Sequence, residues 1–157
     1  MADTCCTYTF GSLTVNPSSG NGLTTDFEEG NIAGLDGAPI RKQIDPQGQS
    51  DGGIVHGAFY GARVIVFTGK VFIDPAVVSD VTSTAYIAAV NSVEAASVSA
   101  LQAQLNSATN LAWTPTGGSG KTISCTYGVP GGEIQFSGNM IDRRFSFSLV
   151  AANPTIA

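Results

Sequence analysis

The chain has 157 residues, 43% of them apolar and 12% charged, with a formal net charge of −5. That is one ordinary domain's length, enough to bury a core without disulfides or metal. Residues 1–51 hold seven acids against two bases and residues 52–157 hold five of each, so no basic patch exists to release counterions from phosphates, which argues against tight nucleic-acid binding.

The start, Met1-Ala-Asp-Thr-Cys5, lacks the basic and apolar regions of a secretion signal. No run reaches the ~18 apolar residues of a membrane span. Thr4–Val15 alternates in part, with Cys6, Tyr8 and Phe10 on one face, and reads as a strand that gives way near Gly11 or Pro17. Adjacent Cys5 and Cys6 point to opposite faces. With Cys125 they make an odd count, which favours reduced thiols made in the cytoplasm. Three cysteines and the single His56, without paired spacing, do not make a zinc site.

Residues 16–53 are dominated by Gly, Pro, Asn, Asp and Ser and read as an acidic, Gly-rich loop region, with short strands at Leu23–Glu28 and Ile40–Ile44. So long an irregular stretch in a compact domain is usually functional or ordered by a partner. Gly57–Ile73 reads as one long strand, because β-branched and aromatic residues dominate it and its breaks are glycines. Its second part is apolar on both faces: Ile65, Phe67 and Val71 on one, Val64, Val66 and Phe72 on the other. A strand without alternation is covered on both sides. One cover is the core; the other is a helix or another subunit.

The period then switches. Asp80 or Thr82 is placed to cap a helix around residues 84–106, with Tyr86, Ile87, Val90, Val93, Val98, Leu101 and Leu105 in one apolar arc and Ala and Ser behind. Glu94 falls inside that arc, either at its exposed end or paired. Leu111–Pro115 reads as a short strand or connector. Residues 121–151 read as a three-strand antiparallel meander: Ile123, Cys125, Tyr127 and Val129; then Ile134 and Phe136 after a tight turn at Val129-Pro130-Gly131-Gly132; then Phe145, Phe147 and Leu149 after a turn near Asn139–Asp142. The expected fold is mainly β with one helix (α+β), an antiparallel β-sandwich-like domain over 1–157 with the helix packed on it.

No catalytic pattern emerges. Gly117-Gly-Ser-Gly120-Lys121-Thr122 mimics a phosphate loop, yet Pro115 stands where the first glycine belongs and a strand follows instead of a helix. Nothing ties His56 to a nucleophile, and nothing singles out two of the twelve acids for hydrolysis. No cofactor, metal or enzymatic activity is expected.

One resemblance adds to this reading. Ile40-Arg41, then Asp51-Gly52-Gly53, then Gly57-x-x-Tyr60-Gly61-x-Arg63-x-Ile65-x-x-x-Gly69 resembles the N-terminal domain of distal tail proteins of long, non-contractile-tailed bacteriophages. The resemblance implies a virion structural protein at the distal end of the tail, assembled in the host bacterial cytoplasm. Such proteins form a homo-oligomeric ring of six copies that joins the tail tube protein to the hub, tip and tape-measure proteins while DNA passes through its lumen, with no membrane insertion. Many relatives carry a second domain for receptor-binding parts. This chain would be a ring-domain-only version. In this picture Arg41, Tyr60, Gly61, Arg63 and Gly69 form a structural or interface motif: Arg41 and Arg63 pair with acids or backbone carbonyls, and Tyr60 packs where a strand begins. Other readings stay open: a tail-tube, tail-terminator or capsid-decoration subunit, or a carbohydrate-binding β-sandwich.

Overall fold

The structure is a computed structural model describing residues 7–25, 30–46 and 53–157. Cys5, Cys6, Asp51 and Gly52 lie outside the described residues.

Tyr8–Phe10 (β1) and Leu13–Val15 (β2) form a hairpin turned by Gly11 at φ 59°. Gly22–Thr24 (β3), Asn31–Ala33 (β4), Ile40–Pro46 (β5), Gly53–Tyr60 (β6) and Arg63–Phe72 (β7) follow, then the helix Thr84–Gln102 (α1). Thr109–Trp113 (β8), Lys121–Cys125 (β9), Gln135–Ser137 (β10) and Arg144–Ala151 (β11) complete the chain. The fold is mainly β with one helix, as expected.

One sheet runs β10-β11-β7-β3-β2-β1-β8-β9, with β4 also on β7. Its two ends meet. Just past β9, Thr126 N–H donates to Val150 O at 2.8 Å and Val150 N–H returns to Thr126 O at 3.0 Å. The sheet thus folds over on itself like a sandwich. Tyr8 on β1 meets Phe67 on β7 edge-on at 5.9 Å across the interior, although two strands separate them along the sheet. Every ladder in this sheet is antiparallel except β2–β3, which is parallel at Val15↔Leu23. There buried Asn16, at φ 57°, ends β2: its N–H makes the parallel rung to Leu23 O at 2.8 Å, and its side-chain oxygen accepts from Thr25 N–H at 2.7 Å, holding the chain just past β3.

The long strand expected over Gly57–Ile73 is two strands in two sheets. The division falls at Gly61, whose N–H donates to the Pro39 carbonyl at 2.7 Å and makes the last rung of the β5–β6 pairing. β5 and β6 pair only with each other, as a separate two-stranded arm. β7 alone enters the main sheet. Its inward row of Arg63, Ile65, Phe67, Gly69 and Val71 is buried, whereas Val64 and Phe72 are half-exposed. β11 pairs with it in unbroken register from Arg63 to Lys70, so Phe147 stacks on Phe67 at 4.8 Å and the ring of Phe145 lies over Gly69.

The helix is shorter and turned relative to expectation. Ser83 caps it, accepting from Tyr86 N–H at 3.2 Å. Asp80 instead closes the preceding turn; bonds from the Thr82 hydroxyl and N–H hold its carboxyl below the usual range. The chain leaves the helix after Gln102, and Leu105 bridges Tyr127. The buried face is Tyr86, Val90, Ser97, Ala100 and Leu101, leaving Ile87 exposed. Short Ser97 and Ala100 at the contact are what let α1 lie close against the sheet, where it touches β2 and β7. Glu94 is paired: Arg143 Nε donates to its Oε1 at 2.5 Å.

The expected meander is also rearranged. β9 pairs with β8 and β10 with β11, at opposite ends of the strand order. The turn at Val129–Gly132 is present, closed by Gly132 N–H to Val129 O at 2.9 Å. It serves the sheet edge, with Ser148 N–H donating to Gly132 O at 3.0 Å.

Two consequences are measurable. A Cβ on Gly69 would clash with the Thr24 carbonyl and come within 2.7 Å of the Phe145 ring. Gly69→Ala should therefore cost about 1–3 kcal/mol, seen as a lower urea midpoint at unchanged slope. Burial lifts the Cys125 thiol from 9.0 to about 11, with Arg63 partly opposing. The unfolded thiol ionises first as pH rises, so this contribution is full below about pH 9 and lost as pH passes through about 11. Urea midpoints between pH 8 and 11 should fall less steeply for Cys125→Ala than for the parent chain.

Candidate assembly surface

The arm has the register Ile40↔Tyr60, Arg41↔Phe59, Lys42↔Ala58 and Gln43↔Gly57, then jumps to Ile44↔Val55. His56 is thus the extra residue of a bulge, next to Gly57 at φ 146°, a conformation that suits glycine. Side chains alternate across the ribbon. Ile40, Lys42, Ala58 and Tyr60 share one face; Arg41 and Phe59 share the other. Three large apolar side chains stand in solvent here: Ile40 is 62% exposed, Phe59 72% and Tyr60 71%. Bare aromatic surface of this kind marks an interaction site more often than an inert one.

The base of the arm is fixed from inside the main sheet. Arg63, the first residue of β7, is 5% exposed. Its Nη1 donates to Gly34 O at 3.2 Å and Asp36 O at 2.9 Å, while its buried Nε has no acceptor. Its partners are carbonyls, not acids. These carbonyls belong to the loop that leads from β4 to β5. Gly34, at φ 93°, lies so close to the Val64 carbonyl that no side chain would fit. Outside, the stem of Arg41 crosses buried Gly61, where an added Cβ would come 3.0 Å from Arg41 Nε.

The five motif residues therefore do not form one surface. Arg63 and Gly69 face the core. Gly61 is covered by Arg41. Tyr60, expected to pack where a strand begins, projects into solvent. Ile40, which opens the motif, and Phe59, one of its unspecified positions, are exposed beside it. Their sequence signal was absent, because an apolar residue in a strand reads equally as core.

Other chemistry finds no support. Gly117–Gly120 makes the turn between β8 and β9, and Lys121 opens β9 opposite Trp113, not a helix. Among the described residues no group of three His, Cys, Asp or Glu could hold a metal. Among them, too, no helix is long and apolar enough to cross a membrane. Trp113 is buried and stacks on Tyr8 at 5.7 Å, so it offers no sugar platform.

A mainly β fold, doubled over a single core cluster with one helix and a two-stranded arm, defines the architecture. It is similar to the crystal structure of SPP1 Dit, described as a paradigm of the hub adsorption apparatus in phages that infect Gram-positive bacteria. The TM-score is 0.62 at 11% identity, over 96% of this chain and 51% of that one. The chain thus spans about half the length of SPP1 Dit and shares its fold. No protein-family model matches the chain, nor does any curated protein sequence.

Arg63→Ala would strip the donor from two loop carbonyls. Bonds to a charged donor are worth about 1.5–3 kcal/mol, so stability should fall by that order. Limited proteolysis between residues 34 and 60 should accelerate more than cleavage elsewhere.

Proposed function

We propose that this protein is a structural component of a bacteriophage tail tip that closes into a ring, most simply of six copies, between the tail tube and the hub. DNA would pass through the lumen, the tube, hub, tip and tape-measure proteins would be its neighbours, and assembly would take place in the host cytoplasm. No catalysis is involved. Arg41, Tyr60, Gly61, Arg63 and Gly69 serve it unequally: Tyr60 at the contact, the other four in shaping the arm and the strand it springs from.

The observation that carries this reading is the arm, which holds Ile40, Phe59 and Tyr60 in solvent on a Dit-like fold. A closed ring repeats one head-to-tail contact around an axis, and a projecting apolar ribbon supplies half of such a contact. The low charge and the net charge of −5 suit a channel along which DNA slides without sticking.

The test is the assembly state of the purified chain, by light scattering and negative-stain imaging. A closed annulus of about six copies is expected. Long filaments would indicate a tube subunit instead, and a monomer at high concentration would remove the proposal. Burying one aromatic side chain is worth about 1.5–3 kcal/mol. Tyr60→Ala should thus raise the concentration needed for assembly roughly 10- to 100-fold without lowering the melting temperature.

A further inference from the structure

We propose that the groove between α1 and the β2–β3 strands is the seat for the arm of a neighbouring copy, an inference that rests on the ring reading above. A head-to-tail ring needs two unlike surfaces on one chain, a projecting donor and a recessed acceptor. The arm is the donor. The groove has a volume of about 380 Å³. Its floor is Leu13 and Leu23, and its wall is Ala89, Ser92 and Ala96 of α1. No long or charged side chain lines it.

Size and charge select which face of the arm enters. A cavity of roughly 150 Å³ takes up a benzene-sized ring, so this groove has room for two large side chains. The arm offers such a pair in Ile40 and Tyr60, opposite each other in register. The same face carries exposed Lys42. At the β3 end of the groove, Asn21 accepts from Asp74 N–H at 2.8 Å and Gly20 N–H donates to Asp74 Oδ2 at 3.2 Å, which fixes a carboxylate beside the mouth. Seating Ile40 and Tyr60 in the groove sets them over its small apolar and hydroxyl side chains, leaves the Tyr60 hydroxyl polar partners in Ser12, Thr14 and Ser92, and brings Lys42 toward Asp74, cation to anion. The opposite face, with Phe59 and Arg41, is left for other contacts.

Benzoylphenylalanine at position 60, photolysed in a mixture of isotopically light and heavy chains and mapped by mass spectrometry, tests the placement. Light-to-heavy cross-links to residues 89–100 are expected. Ala96→Trp, on the exposed wall of α1, should raise the concentration for assembly at least 10-fold while melting stays unchanged. A closed annulus whose cross-links map elsewhere or within one chain, or an annulus that tolerates Ala96→Trp, overturns the groove and leaves the ring reading standing. A chain that stays monomeric at every concentration overturns both.

Discussion

The structure depends on the inward row of β7. That strand accepts β11 along one edge and β3 and β4 along the other, so three separate stretches of chain meet there. Phe67 sits at the centre, fully buried, stacked on Phe147 and touched edge-on by Tyr8 from the far side of the sheet. Gly69 follows on the same face because Phe145 occupies the volume a side chain would take, an aromatic ring covering a strand glycine. Remove either aromatic from β11 and the two halves of the sheet lose the surface on which they close.

The same strand connects fold to assembly. The arm leaves the sheet two residues before β7 begins, and Arg63 ties the incoming loop to the core at that point. A guanidinium buried against carbonyls, without a carboxylate, is a costly way to gain stability. It is an effective way to fix direction, since its planar fork accepts few geometries. In the proposed ring every copy would have to hold its contact at one angle, and the buried arginine would be where that angle is set.

Much of the fold was legible because burial imposes period. The alternation in residues 121–125 and 144–151 and the cap-to-Leu101 helix all reflect one face turned to a core. What escaped was pairing. Sequence neighbours in β9, β10 and β11 were expected to pair in order; β10 does pair with β11, whereas β9 chose β8 and the connecting chain meets β11 through Thr126 and Gly132. Period says which face is buried but not which strand lies alongside. Asn16 escaped too, because Asn-Pro reads as a turn regardless of whether its amide is buried. The motif residues were found by resemblance, and their opposite orientations, Arg63 inward and Tyr60 outward, were hidden by the break at Gly61. Nothing in the sequence marked Phe59 and Ile40 as exposed.

The bulge at His56 gives the arm a phase. On either side of it the strand pairing is offset by one residue, so the ribbon cannot slide along its partner strand and regain a matched register. A plain hairpin could creep by two positions and still bury similar surface. This one has a notch. Whatever grips the arm must read its face from a defined zero point, and an oligomer built on it inherits a fixed pitch from a single inserted residue.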